Sequence, residues 1–225
     1  MDLIYILHDE AGKDSLNIKG DLFKYLVKVR RQTKGDELSF RNRDDIKRLH
    51  QYKIIDVEAR ALSMELISSS VCEVKSKKSL HVAWCTIDSK SIEKVLPTLS
   101  EIGVEKISFI SCDRSQKNFK LDFNRMKRIL EASMQQCGRS SYIEFDRYKS
   151  IKEFIEKFPE TKVFDFCENI LQNSDNFQTL LIGCEGGFSC DEKEFLKSQD
   201  VFRLDTPMVL RSESAVMAVS SKILL

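Results

Sequence analysis

The stretch that most restricts the fold is residues 180–188, Leu-Leu-Ile-Gly-Cys-Glu-Gly-Gly-Phe. An apolar run from Thr179 to Ile182, long enough for a buried strand, stops at Gly183, Gly186 and Gly187. Glycines so placed let the backbone turn sharply or approach a ligand closely. Ser189-Cys190-Asp191-Glu192 follows, a Ser-x-x-Glu capping box that starts a helix through Phe195 and Leu196. Strand, glycine loop and helix, in that order, mark the ligand-binding edge of an open α/β sheet.

The loop's own charge narrows the ligand. Phosphate-cradling loops offer bare N–H groups and often a lysine. Here the glycines flank Glu185, whose carboxylate repels a phosphate. A cationic or neutral ligand suits it better, such as the sulfonium, amine and adenine groups of S-adenosylmethionine. A tight turn with an exposed glutamate is the plainer alternative.

The 225 residues leave room for two domains. Residues 2–7 read as a strand, Asp21 to Arg31 as a short helix, Lys34-Gly35-Asp36 as a turn and Glu37 to Phe40 as a second strand. From Lys53 to Leu66 the pattern alternates, with Ile55, Val57, Ala59 and Ala61 on one face and Asp56, Glu58 and Arg60 on the other. That is a half-buried antiparallel strand or hairpin, so the first part is a small β-rich domain. Polar Ser68 to Lys78 reads as the linker.

Beyond it strands and helices alternate. Strands are expected at His81 to Cys85, Lys106 to Ser111, Val163 to Cys167, Leu180 to Gly183 and Val201 to Leu204. Helices are expected at Ile92 to Ile102, from Asp122 to Gly138, from Ser150 to near Pro159, from residue 190, and from Ser212 to the terminus. Pro97 delays or kinks the first of these. The alternation predicts a mostly parallel sheet covered on both faces.

Charge and cysteine usage remove several classes. Lys+Arg 36 against Asp+Glu 35 gives no general attraction to nucleic acid, so any RNA-binding face is local. Between residues 24 and 53 there are ten Lys/Arg against four Asp/Glu, including Arg30 and Arg31. Such an excess grips a phosphate backbone or is simply a solvated surface. Seven cysteines without a C-x-x-C pair indicate neither a zinc site nor a disulfide framework, and no metal is expected. They read as small buried residues of a cytoplasmic protein. No run approaches a membrane span, and Met1-Asp2-Leu3-Ile4 lacks the layout of a signal peptide. His8, His50 and His81 fall in no motif.

A second constellation lies at residues 204–215, Leu-Asp-Thr-Pro-Met-Val-Leu-Arg-Ser-Glu-Ser-Ala. Pro207 keeps the preceding segment extended, Ser212 is expected as the N-cap, and Glu213 sits in the first turn. Arg211 is anomalous there, because a cation beside the positive pole of a helix is unfavourable. It pairs with a carboxylate, Glu213 or Glu185, or it faces an anionic substrate.

Taken together, the two stretches resemble the RsmE family of the SPOUT superfamily, bacterial methyltransferases acting on uridine N3 of 16S ribosomal RNA. That family carries Ile-Gly-Pro-Glu-Gly-Gly and, about twenty-five residues later, Ile-Leu-Arg-Thr-Glu-Thr-Ala. This chain has Ile182-Gly183-Cys184-Glu185-Gly186-Gly187 and Val209-Leu210-Arg211-Ser212-Glu213-Ser214-Ala215. Glu101-Ile102-Gly103-Val104, Asp113-Arg114-Ser115, and the segment from Glu131 to Arg139 resemble further family elements, as do Leu26 to Arg30 with Gly35-Asp36. Cys184 departs from the loop proline, and Ser212 and Ser214 replace threonines while keeping their hydroxyls.

The resemblance implies a PUA-like, RNA-binding β-barrel at 1–70 and a trefoil-knotted SPOUT domain at 71–225. It implies a homodimer acting on the small ribosomal subunit. It places S-adenosylmethionine between three segments, Phe166 to Glu168, Leu181 to Phe188 and Arg203 to Ala215, with Phe166, Cys167, Glu168, Leu181, Ile182, Gly183, Glu185, Gly186, Gly187, Leu204, Val209, Leu210, Ser212 and Ala215 as its contacts. Arg211 and Glu213 become the catalytic candidates, and Arg30, Arg31, Arg114 and Arg139 the RNA contacts. Two other readings are a SPOUT methyltransferase for another RNA site, such as a ribose 2′-hydroxyl, and a non-catalytic RNA-binding protein with a degenerate pocket.

Overall fold

Alternation of apolar and polar residues builds the first of two sheets in the computed structural model, which describes residues 3–115, 120–172 and 177–225. The chain divides into two compact units, Met1–Lys75 with Met134–Ser141, and Ser76–Ser133 with Tyr142–Leu225. The first unit holds β1 (Ile6–Leu7), β2 (Ser15–Lys19), α1 (Gly20–Lys24), β3 (Glu37–Arg41), β4 (Arg48–Val57) and β5 (Ala61–Val71). Its strands run β1-β3-β4-β5-β2, antiparallel except for β1 beside β3. Leu16, Ile18, Phe40, Tyr52, Ile54, Leu62 and Met64 fill its core, with Phe23 and Leu26 closing over them.

Local details differ from expectation for physical reasons. The opening strand is two residues long, and Asp2 lies outside the described residues. The expected Asp21–Arg31 helix is one α-turn that widens into a π-turn, Tyr25–Val29, with Arg30 N–H donating to the Tyr25 carbonyl at 2.9 Å. In β4 the fully buried residues are His50, Tyr52 and Ile54, while Ile55 and Val57 are half-buried and alternate with exposed Asp56 and Glu58 as expected, and Ala59 is exposed. A register shift between Ile54 and Asp56 moves the alternation, and Glu58 to Arg60 is exposed turn rather than strand. β5 continues to Val71, so Ser68 to Val71, expected in the linker, is paired strand.

The second unit carries six strands, all parallel, in the order β11-β9-β10-β6-β7-β8. They are β6 (His81–Cys85), β7 (Lys106–Ile110), β8 (Glu144–Tyr148), β9 (Lys162–Phe164), β10 (Thr179–Ile182) and β11 (Val201–Phe202). Between them lie α2 (Ser89–Ile102), α3 (Phe123–Cys137), α4 (Ile151–Lys157) and α5 (Cys190–Phe195), and α6 (Ser212–Leu224) ends the chain. The strand order reverses between β6 and β10, where open α/β sheets bind ligands. Trp84, Leu180, Leu181 and Phe109 are almost wholly enclosed between the helical layers.

β8 escaped the reading because Glu144-Phe145-Asp146-Arg147-Tyr148 is charged, which an edge strand tolerates and a central one does not. α2 begins before Pro97 rather than near it, because Asp88 caps it through the Ser91 N–H at 3.0 Å. Its end matches expectation: Gly103 takes a φ of 98° and closes the last turn.

His81 opens β6 with a ring nitrogen 2.7 Å from Ser108 Oγ, against the rings of Phe154 and Phe158. Burial, with Lys106 beside it, pushes its pKa down to about 4 against the pull of Asp146 and Glu105. The unfolded chain therefore binds the proton first as pH falls. Stability conferred by neutral His81 is complete above about pH 6.5 and is lost on acidification towards pH 4. Urea titrations of wild type and His81→Phe should diverge across that window, by on the order of 2 kcal/mol after solvent screening. Parallel curves would show that the ring carries no such linkage.

Candidate functional site

The glycine loop after β10 is shaped by two of its glycines. Gly187 N–H donates to the Cys184 carbonyl at 2.9 Å, closing a tight turn, and Gly187 takes a φ of 65° that disfavours a side chain. A Cβ on Gly186 would lie 3.2 Å from Arg114 Cδ, so its absence lets Arg114 cross the loop and donate from Nη1 to the Gly186 carbonyl at 2.6 Å. The capping box at Ser189 and Glu192 then starts α5 as expected.

Ser212 joins the two sequence constellations. Its hydroxyl donates to the Gly183 carbonyl at 2.6 Å and accepts from Trp84 Nε1–H at 2.8 Å, so β6, the glycine loop and α6 meet at one oxygen. Ser212 was expected as the N-cap; Arg211 holds that position, with extended φ and ψ and no side-chain capping bond. The hydroxyl is therefore used for tertiary contact instead of capping. Arg211 is exposed, and among the described residues no carboxylate pairs with it.

These segments enclose a cleft over the carboxyl ends of β9, β10 and β11. Of the expected cofactor residues, Phe166, Ile182, Gly183, Glu185, Gly187, Leu204, Val209, Leu210, Ser212 and Ala215 line it. Cys167, Glu168, Leu181 and Gly186 do not: Leu181 is wholly buried in β10, and Gly186 faces Arg114. β9 stops at Phe164, earlier than expected, so Phe164 and Asp165 reach the cleft before Phe166 does.

Cys184 and Phe188, within the expected Leu181 to Phe188 loop, and Arg203, Thr206 and Met208, within the expected Arg203 to Ala215 segment, also line it, and Phe164 and Asp165 fall outside the expected segments. For these two, position at the end of β9 was the available signal. Arg203 straps the cleft's far wall, donating from Nε to the Cys167 carbonyl at 2.9 Å. Asp165 is held by Lys193 at 2.8 Å. Glu185 is exposed and has no cation partner among the described residues. Phe166, Met208 and Val209 stand 72%, 66% and 75% exposed around the mouth, an apolar rim that invites a flat ligand.

A thiol cluster braces the loop from behind. Cys184 Sγ lies 3.5 Å from Cys112 Sγ, and Ser115 Oγ is 3.0 Å from the same sulfur. Hydrogen bonds from Cys184, Cys85 and Ser115 hold the Cys112 thiol well below the ordinary range, against its burial. Cys184 is pushed up by its bond to Cys112 and by burial, and Cys85 by burial. Of the three thiols, Cys112 is therefore the one that ionises first. The alkylation rate of the Cys112 peptide, followed by mass spectrometry with iodoacetamide, should stay flat between pH 6 and 8. An ordinary thiol gains about tenfold per pH unit there, and that slope at Cys112 would refute the lowered pKa.

The expected RNA contacts separate. Arg31 is exposed, and Arg30 donates from Nε to Tyr25 Oη at 2.7 Å. Arg114 is engaged with Gly186. Arg139 is only 6% exposed and donates from Nε to Ser141 Oγ at 3.1 Å, which removes it as a surface phosphate contact. A charged residue that close to a helix end reads as surface from sequence alone, and burial overrides that reading.

Comparison with known proteins adds three findings. Residues 74–224 match the family model described as "RNA methyltransferase domain". A Ribosomal RNA small subunit methyltransferase E from Helicobacter pylori (strain ATCC 700392 / 26695) is 34% identical over 221 residues, covering 96% of this chain and 97% of that one. A protein of the same name from Aquifex aeolicus is 24% identical, over 97% of this chain and 98% of the other. The crystal structure of a Ribosomal RNA small subunit methyltransferase E from Neisseria gonorrhoeae, bound to S-adenosyl methionine, superposes with a TM-score of 0.73. It covers 98% of this chain and 96% of that chain at 16% identity, a likeness of fold.

Proposed function

The chain belongs to the RNA methyltransferase family, in its small-subunit methyltransferase E branch, and on that premise we propose that it methylates N3 of a uridine in 16S ribosomal RNA. The methyl donor is S-adenosylmethionine, and the protein works in the cytoplasm as a homodimer. The observation that carries the reading is the Ser212 clasp, which brings the glycine loop and the Leu-Arg-Ser-Glu segment to one cleft.

The cleft fits that donor. Its rim is apolar, its loop presents backbone groups, and Glu185 leaves an unpaired carboxylate for a cationic group. Phe166, Val209, Leu210 and Ala215, with the backbone of Gly183 to Gly187, would hold it. When bound, S-adenosylmethionine supplies an electrophilic methyl group on a sulfonium.

The chain's own work is to orient the base and stabilise charge. Uridine N3 carries a weakly acidic imide proton, and its loss spreads negative charge over the ring oxygens. Arg211, exposed between two cleft residues, forks its guanidinium onto such an oxygen. Glu213, in the first turn of α6, accepts the proton or steadies Arg211. A ribose hydroxyl is far less acidic, and an exposed arginine with one carboxylate suits the imide better. Arg30 and Arg31 on the first unit grip the RNA backbone.

Mass spectrometry of small-subunit rRNA from a deletion strain tests this. Loss of one 3-methyluridine, restored by complementation, is the expected result. Loss of a ribose methylation instead would reassign the target, and calorimetry showing no S-adenosylmethionine binding would leave only RNA binding.

A further inference from the structure

A second cleft opens on the same edge of the parallel sheet, over the carboxyl ends of β6, β7 and β8. It shares a wall with the first. Cys112 lines this cleft while touching Cys184, which lines the other.

Its two sides differ in kind. Arg147 from β8, with Lys149 and Lys152 beyond it, forms a cationic side. All three are exposed, and among the described residues neither Arg147 nor Lys149 has a carboxylate partner. Lys152 reaches only Glu156, at 4.0 Å. On the facing side the acids are already engaged. Glu192 accepts from the Asp113 and Ser189 N–H groups, each at 2.8 Å, and Asp113 accepts from the Ser189 hydroxyl. Asp191 stands exposed beside them. On the same helix as Asp191 and Glu192, Phe195, the last residue of α5, lies 39% exposed and lines the cleft.

Free cations near an exposed aromatic face, with carbonyl-type acceptors opposite, are the parts that recognise one unpaired nucleotide. The base stacks on the ring, its N–H groups meet the exposed Asp191, and its phosphates meet the cations. We propose that this cleft holds a single-stranded nucleotide of the substrate RNA flanking the one methylated, stacked on Phe195 with its phosphate on Arg147 and Lys149. The proposal rests on the RNA methylation reading above. It adds a site outside the cofactor cleft and outside the residues that reading assigned.

The test uses the full chain and a fluorescein-labelled single-stranded U-rich RNA dodecamer, with S-adenosylmethionine affinity measured in parallel. Phe195→Ala should weaken dodecamer binding by about tenfold, and Phe195→Tyr should restore it. Arg147→Ala with Lys149→Ala should lower the slope of log K against log salt by about 0.7 for each phosphate no longer neutralised. Cofactor affinity should be unchanged in all three, which also reports that the fold survives. Wild-type dodecamer affinity and salt slope in both variants would overturn the proposal, as would tighter binding of free ATP than of the dodecamer. If wild type binds RNA through Phe195 but transfers no methyl group, the cleft stands and the methylation reading falls. If transfer occurs and the variants bind normally, the reverse holds.

Discussion

Replacing Arg211 with alanine should lower single-turnover methyl transfer by about a thousandfold, while S-adenosylmethionine affinity stays within about twofold of wild type. The separation follows from where the residue sits. Arg211 does not line the cleft proposed for the cofactor although both neighbours do, and its exposed side chain has no carboxylate partner among the described residues. Truncation therefore strands no buried charge and removes no wall of the cleft. Its backbone, with φ −65° and ψ 158°, is one that alanine adopts freely.

The stability of the same variant provides a second readout. A guanidinium at the positive end of α6 is repelled by the helix dipole, so alanine there should be neutral or more stable, by up to about 1 kcal/mol. A purely structural arginine would do the opposite. Arg211→Lys keeps the charge but not the fork, and intermediate transfer is expected. Turnover at the wild-type rate in Arg211→Ala would take the residue out of the mechanism.

Arg211 stood out because it broke a local rule, and of its two readings the ion pair with Glu213 or Glu185 is absent among the described residues, which leaves the anionic substrate as the one proposed. Elements with a strong local signal were similarly legible: β6 in full, the capping box before α5, Gly103 closing α2, and the glycine loop. Readings failed where a residue's partner is distant in sequence. Ser212 has every feature of an N-cap, yet its hydroxyl bonds residues 29 and 128 positions away. Arg139 looks like a surface cation and is buried. The change of inward face within β4, from Ile54 to Ile55, went unread because a bulge in the β4–β5 pairing leaves no mark in the hydrophobic pattern. The cleft was found through its loops, while Phe164 and Asp165 join its lining because β9 ends at Phe164 rather than at the expected Cys167, a change that leaves no mark in composition.

Ser212 is also where the largest change in both stability and cofactor binding is expected. Ser212→Ala deletes one donor and one acceptor at a point 5% exposed, leaving Trp84 Nε1–H buried with nothing to donate to. An orphaned buried donor costs about 1–3 kcal/mol, and the lost bond to Gly183 adds about 1 kcal/mol. For a chain of this size that lowers the melting temperature by about 4–16 °C. The glycine loop also loses its tie to α6, and S-adenosylmethionine affinity should fall by about tenfold, or 1.4 kcal/mol. Ser212→Thr retains the hydroxyl and should keep both properties near wild type, whereas Ser212→Val should resemble alanine. Adding Trp84→Phe to Ser212→Ala removes the orphaned N–H and should recover most of the stability but not the cofactor affinity, since the loop remains untied. Calorimetry and thermal melts on these variants separate the two roles. If Ser212→Ala melts and binds like wild type, the shared hydroxyl does not hold the cleft together, and the juxtaposition of the two motifs needs another cause.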